Sequence, residues 1–247
     1  MPFFNLDDFK PNFSSETDFT IIGCGAVGIF LALKLSRENF SVNVIESGDI
    51  KLKSDSQKLN KIFSSSDTMK NSGSHGRFRA IGGSTTAWGG QSLIFNEIDF
   101  KDRSWVKNSG WPIEYSDLAK FYNEANEFIG VDYSFDYDDR IFNYINSESQ
   151  FKNSLDINHY VSKWAKTPNF FTLYRKELYE NIKIFYNATL VKVGYNEFGN
   201  KVKKISIKNK NGQVFQTDVN NLLLCTGGIE TVRTLLLDPY QNSPHIG

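Results

Sequence analysis

The sequence has only two cysteines in 247 residues, Cys24 and Cys225, far apart and outside any C-x-x-C spacing. That excludes a disulfide framework and a cysteine-built metal site, so both are expected to be buried thiols and no metal is expected. Charge of one sign is missing as well: Lys+Arg and Asp+Glu number 28 each. Without a basic surplus to neutralise phosphates or anionic lipid, neither nucleic acid nor a membrane is an expected partner. The most apolar stretch, Ile21 to Leu35, is broken by glycines and Lys34 and falls short of the ~20 apolar residues that a spanning helix needs. The N-terminal segment places acids where a secretory signal needs a basic region, so a cytoplasmic location is expected. The three histidines, His75, His159 and His245, stand apart from any second base or carboxylate, and none is nominated for catalysis. Ser/His/Asp, P-loop and zinc patterns are absent, which leaves a hydrolase or kinase reading without support. Asn12-Phe-Ser14 and Asn187-Ala-Thr189 match the glycosylation sequon and are read as chance.

What is present is an ordinary globular composition, 40% hydrophobic and 23% charged, which excludes global disorder. The length allows one or two domains. After a leader arm over 1–17, Asp18 to Ile22 reads as a buried strand of a parallel sheet. Val27, Phe30, Leu31 and Leu35 recur at helical spacing over Ala26 to Glu38, and Ser41 to Ile45 reads as the next strand. This is a βαβ opening. Ser47 to Ser74 is polar and aperiodic, a long loop, and the block GGSTTAWGG follows at Gly82 to Gly90. Ser116 is a plausible N-cap for one amphipathic helix through Ile129, stopped by Gly130. Residues 131–175 show no clear period. From Ile182 the period becomes two, with strands expected at 182–186, 189–195, 202–208 and 213–218 as a β-meander. Asn221 to Cys225 reads as another buried strand, followed by a Gly-Gly turn and a helix through Leu237 that returns to the first sheet.

In the turn Gly23-Cys24-Gly25-Ala26-Val27-Gly28 each glycine has a separate task. Gly23 permits the tight exit from the strand, Gly25 lets backbone approach a pyrophosphate, and Gly28 lets helix pack on sheet. The helix N-terminus offers unsatisfied N–H groups to the phosphates. Glu46, about 20 residues on and at the end of the next strand, can accept a ribose hydroxyl hydrogen bond. The fingerprint leaves NAD and FAD open, because both present an ADP half to the same turn.

Three further blocks carry a resemblance. RAIGGSTTAWGG (Arg79 to Gly90), WPIEYSDLAKFYNEANEFIGV (Trp111 to Val131) and LLLCTGGIETVRTLLLD (Leu222 to Asp238) together resemble the glucose-methanol-choline (GMC) oxidoreductases. The likeness is greatest to the sugar-oxidising branch that includes pyranose oxidase, because Trp88 stands where other members carry Asn. The resemblance implies an α/β fold: a Rossmann-like FAD-binding domain with a parallel sheet, a β-meander and an incomplete substrate-domain portion. It implies FAD-binding segments at 18–94 and 181–247 flanking an inserted helical portion at 95–180.

It further implies that Gly23, Gly25, Ala26 and Gly28 contact pyrophosphate and that Glu46 and Ser47 meet the adenosine ribose. Arg79, Gly83, Ser84, Thr86, Trp88 and Gly89 would run along the flavin half. Leu190 would offer backbone atoms to adenine, with Thr226 and Gly227 closing that side. Arg79 also reads as the partner of an acid, Leu190 as core and Trp88 as a packed aromatic. In the sugar-oxidising branch a histidine before the Trp bonds covalently to FAD; Ala87 stands there, which implies noncovalent FAD.

The implied activity is oxidation of a CH–OH group of a sugar or other alcohol. The family's catalytic base lies in a C-terminal half with no counterpart in these 247 residues, so the catalytic residue is unknown and a truncated chain is expected. The alternatives are a flavin-binding module completed by a second polypeptide, and an NAD-dependent dehydrogenase. The latter leaves the Gly82 to Gly90 block unexplained.

Overall fold

A computed structural model describes residues 3–8, 17–62, 75–134, 136–138, 140–151, 157, 159–238 and 246. Asn12 and His245, the later part of the leader and most of the Ser47 to Ser74 loop lie outside them. The chain divides into two compact units, Met1–Ala87 with Asn169–Gly247, and Trp88–Pro168.

In chain order the elements are β1 (Phe3–Asn5), β2 (Phe19–Ile22), α1 (Ala26–Arg37), β3 (Val42–Ile45) and α2 (Ser54–Gln57). A 3-10 turn at Lys58–Asn60 and another at Gly83–Thr86 follow. The second unit holds β4 (Gln91–Ser92), α3 (Glu97–Phe100), α4 (Tyr115–Ala119), α5 (Tyr122–Ile129), α6 (Ile141–Tyr144) and β5 (Lys163–Trp164). The first unit resumes with α7 (Phe170–Leu173), α8 (Arg175–Asn181), β6 (Lys183–Tyr186), β7 (Thr189–Tyr195), β8 (Val202–Lys208), β9 (Val214–Asp218), β10 (Asn221–Leu224) and α9 (Gly228–Leu236). Helices α7 and α8, expected with the inserted portion, therefore cluster with the sheet.

The main sheet is parallel throughout, in the order β1-β6-β3-β2-β10. β2 and β3 consist of apolar or fully buried residues, as a sheet covered on both faces requires. β10 returns beside β2, with Leu223 opposite Ile21, as the sequence predicts. The connection β2-α1-β3 leaves β2 on one side and β10 lies on the other, so strand order reverses at β2. Ligands in open α/β sheets bind outside the carboxyl ends of strands at such a point.

Several expectations are corrected. The leader contains a strand: Phe3 pairs with Ile184, its ring stacks on Tyr179 at 4.2 Å, and Leu6 is 1% exposed in the core. A three-residue strand is too short for periodicity to show. The meander has three strands rather than four, because Lys183–Tyr186 joins the parallel sheet and only β7-β8-β9 are antiparallel. The buried face of α1 is Gly28, Ile29, Ala32 and Leu33, whereas Val27 is 60% exposed. Gly28 and Ala32 are small because the helix lies tight on the sheet, so counting large apolar residues picks the wrong stripe.

In the second unit, the expected single helix is two, α4 and α5, parted where Phe121 N–H donates to Leu118 carbonyl at 3.0 Å. Glu114, not Ser116, is the N-cap, and Asp117 accepts its backbone N–H at 3.0 Å. Gly130 stops α5 in the left-handed conformation, φ 76°, as expected. Trp111 of the WPI segment packs on Phe95 and Phe100, with ring centroids 5.0 and 5.2 Å away.

Among the described residues no helix is long and apolar enough to cross a membrane, and no group of His, Cys, Asp or Glu is placed to hold a metal. Asn187 of the second sequon is buried and donates to Asn5 Oδ1 at 2.7 Å. Replacing Leu6 with Ala is expected to cost about 2–5 kcal/mol, measured by urea denaturation, because the cavity opens in the cluster of Ile22, Ile45 and Phe185. A dispensable leader would leave the midpoint unchanged.

Candidate functional site

Strand β2 ends at Gly23, whose φ of 99° is a conformation other residues rarely adopt. A methyl on Gly23 would lie 2.4 Å from the Cys225 carbonyl oxygen, and one on Gly28 would lie 1.9 Å from the Gly23 oxygen. These two glycines therefore bring strand, helix and returning strand together. Gly25 differs: a methyl there would meet nothing closer than Gly83 Cα at 3.9 Å. Gly25 is the N-cap of α1, whose own first turn holds no acid to meet the positive end of its dipole.

The second glycine block docks on the first. Gly82 N–H donates to the Cys24 carbonyl at 2.8 Å, and a methyl on Gly83 would stand 2.7 Å from Gly25 Cα. Gly83–Thr86 turns as a short 3-10 helix, with Thr86 Oγ1 donating to Gly83 carbonyl at 2.7 Å.

Glu46 leaves the end of β3 and is 5% exposed. Its carboxylate accepts Cys24 N–H at 2.8 Å, Gly48 N–H at 2.7 Å and Ser47 Oγ at 3.3 Å. Burial raises its pKa above the ordinary carboxylate range, and those amides, the Arg79 charge and Ser47 only partly offset this. Each carboxylate oxygen accepts more than one hydrogen bond, so this closure of the turn leaves capacity for a ligand hydroxyl. Burial, and then the neighbouring Glu46, also push the Cys24 thiol far up, which makes it unreactive. Cys225, expected to be buried, is only partly so.

These elements surround a cavity of about 700 Å³, lined by the ends of β2, β3 and β10. Such a volume lies within the ~300–1,000 Å³ of small-molecule and cofactor sites. Of the residues expected from sequence, Gly23, Gly25, Ala26, Glu46, Ser47, Arg79, Gly83, Ser84, Leu190, Thr226 and Gly227 line it. Gly28 and Thr86 do not, the former being buried at the helix–turn contact and the latter bonded within its own turn. Trp88 and Gly89 belong to the second unit, where Trp88 Nε1 donates to Pro168 carbonyl at 2.6 Å and Gly89 lies against the Trp164 ring. Leu190 is both core and lining.

Sequence reading missed Asn60, Arg77, Glu230 and Arg233, which also line the cavity. Arg79 pairs with an acid, as its alternative reading holds, but that acid is Glu230 at 2.9 Å inside the lining. Arg77 meets the same oxygen at 3.2 Å, and Arg233 Nε meets the other at 2.7 Å. The only sequence signal was the Glu-x-x-Arg spacing in the first turns of α9, which puts both side chains on one face. Asn60 sits in the polar loop and accepts Arg79 Nε at 2.7 Å; Gln57 holds the Arg79 backbone on both sides, at 3.0 and 2.8 Å.

The residues present fit a dinucleotide such as FAD. Gly25 and Gly228 both line the cavity, and an added methyl would meet only Gly83 Cα, at 3.9 Å, at the first and nothing within 4 Å at the second. The N-terminus of α1, with no acid in its own first turn, and the lining arginines would supply the positive field that a pyrophosphate requires.

No protein-family model matches the chain, and no curated protein matches it. Solved structures do. A fungal aryl-alcohol oxidase shares 13% identity at a TM-score of 0.57, with 90% of this chain and 47% of that chain covered. A formate oxidase of Aspergillus oryzae RIB40, described for a mutation's effect on FAD modification, shares 16% identity at a TM-score of 0.51, covering 90% and 47%. Pyridoxine 4-oxidase from Mesorbium loti shares 18% identity at a TM-score of 0.50, covering 88% and 50%. The chain spans about half the length of these structures and has their α/β fold, the class the sequence leads one to expect.

Gly28→Ala is expected to destabilise the fold by about 3 kcal/mol or more, since the added carbon strikes backbone, while Gly25→Ala costs under about 1 kcal/mol; denaturant midpoints measure both. Burial alone would raise Glu230, but Arg233, Arg79 and Arg77 outweigh it and hold the carboxyl below its ordinary range. Its contribution to stability is therefore present above the unfolded carboxyl pKa and lost as pH falls through the depressed folded value. Glu230→Gln should flatten that part of the acid limb in urea midpoints taken from neutral to acid pH.

Proposed function

We propose that the chain is the FAD-binding part of a GMC-type oxidoreductase that oxidises a CH–OH group of a sugar or other alcohol. The observation that carries the reading is the face-to-face docking of Gly25 and Gly83 at the positive end of α1, beside an open cavity. A lone dinucleotide fingerprint does not need a second glycine block there, which is why FAD is favoured over NAD. Two of the fold neighbours are named for alcohol substrates, pyridoxine and aryl alcohols, which supports the substrate class.

In this reading Gly23 and Gly28 hold the turn, and Gly25 and Ala26 turn their amides toward the pyrophosphate. Glu46 accepts from the ribose while keeping the turn closed, and Ser47 links it to Arg79. Gly83 and Ser84, which line the cavity, flank the flavin half. Leu190, Thr226 and Gly227 close on adenosine. FAD, when bound, supplies the acceptor for the hydride that leaves the alcohol carbon. Ala87 offers no nucleophile for a covalent link, so binding is noncovalent. The base that removes the hydroxyl proton is assigned to no residue of this chain.

A second reading, a flavin-binding module completed by another polypeptide, is favoured by α9 and β10. No residue of α9 is buried, Leu236 is 61% exposed, and β10 is an edge strand among the described residues. Both leave apolar surface and backbone groups for further chain to cover.

Purified protein is expected to show a flavin absorption spectrum and to release intact FAD on acid treatment. Gly25→Val should keep the circular dichroism of the wild type and lose at least about nine-tenths of the flavin, because Cβ has room, meeting only Gly83 Cα at 3.9 Å, while the branched side chain enters the pyrophosphate's space. Colourless protein that takes up no FAD on reconstitution, or unchanged flavin content in the variant, would overturn the assignment.

A further inference from the structure

Arg77, Arg79 and Arg233 bring three positive charges to one acid, Glu230, within the lining of the cavity. The other acid of the lining, Glu46, is engaged by the amides of Cys24 and Gly48. The three arginines are not equivalent. Arg79 is fixed on three sides, by Glu230, Asn60 Oδ1 and Ser47 Oγ, and its side chain is 13% exposed. Arg77 is tied to Glu230 and to the Asn60 carbonyl. Arg233 is 48% exposed and is held through Nε alone; among the described residues neither of its terminal nitrogens makes a hydrogen bond. Glu230 thus holds the Arg233 guanidinium by Nε, and Arg233 lines the cavity with its terminal fork unbonded among the described residues. Gly227 and Gly228 line the same cavity; a methyl on Gly228 would meet nothing within 4 Å, while the φ of 78° at Gly227 itself favours glycine.

We infer that Arg233 is a second anion-binding element of this cavity, one that grips the diphosphate of an adenine dinucleotide from α9 while the glycine turn holds it from α1. The inference deepens the flavin reading and rests on it for the identity of the dinucleotide. Two negative charges on the ligand balance what Glu230 leaves unpaired, and a planar fork suits two phosphate oxygens. Glu230 is the positioning residue of the arrangement: it keeps three like charges together when no ligand is present. The site accordingly selects for the diphosphate, not only for the adenosine or flavin ends.

Calorimetric titration of the whole chain with ADP and with adenosine, on wild type and Arg233→Gln, tests this; FAD is titrated in parallel and the melting temperature of each ligand-free protein serves as the folding control. Wild type should bind ADP at least about ten-fold more tightly than adenosine, and R233Q should lose on the order of ten-fold toward ADP, the scale of one charge-assisted hydrogen bond. Adenosine affinity should stay as in wild type, and the ligand-free melting temperature reads the loss of the Arg233–Glu230 pair separately from the loss of ADP binding. R233Q binding ADP as wild type does, while FAD still binds, would overturn the inference and leave the flavin reading standing. The predicted ADP loss in a protein that binds FAD no better than ADP would uphold Arg233 and remove the flavin. Wild type that binds neither ADP nor FAD would overturn both.

Discussion

The first unit depends on two backbones passing one another with no side chain between them. Gly23 lies against Gly28 and Cys225, and Gly83 lies against Gly25, at separations that no Cβ could occupy. Because these contacts are backbone on backbone, they fix the relation of strand, helix and second glycine block without flexible parts that could give way. The buried carboxylate of Glu46 ties the same turn to the end of β3 through two amides. Burial holds its pKa above the ordinary carboxylate range, so a charge placed there comes at a cost that the two amides only partly offset.

This arrangement explains why glycine positions that look alike in sequence do different work. Gly23 and Gly28 are steric necessities of the fold, and Gly25 is not, since its missing side chain leaves room in the cavity rather than in the protein. The three glycines of the turn are thus told apart by three separate distances. At Gly227 it is the backbone, with φ 78°, that calls for glycine, whereas at Gly228 a methyl would meet nothing within 4 Å.

Legibility in the sequence followed the range of the interactions. The βαβ opening, its turn and Glu46 were readable because each is signalled within a few residues, and the return of β10 because strand, glycines and helix recur in the same pattern. The buried face of α1 was misread because tight packing selects Gly28 and Ala32, which carry no hydrophobic signal. Phe3–Asn5 was missed because its partner is β6, far along the chain, and the strand beginning at Lys183 was placed in the meander for the same reason. The arginines around Glu230 converge from the segment before Gly82, which carries Arg77 and Arg79, and from α9, and no local pattern joins the two.

The strand order also sets when this sheet can exist. Only β2 and β3 are neighbours both in sequence and in the sheet; Phe3 waits for Ile184, and Phe19 for Asn221. Loop-closure entropy must be met before such distant pairings return any energy, which places the unit among slow-folding topologies. During synthesis the β2-α1-β3 unit stands with the edge of β3 open until Lys183–Tyr186 is made and the edge of β2 open until Asn221–Leu224 is made. Open strand edges of this kind are where association competes with folding until the sheet is complete.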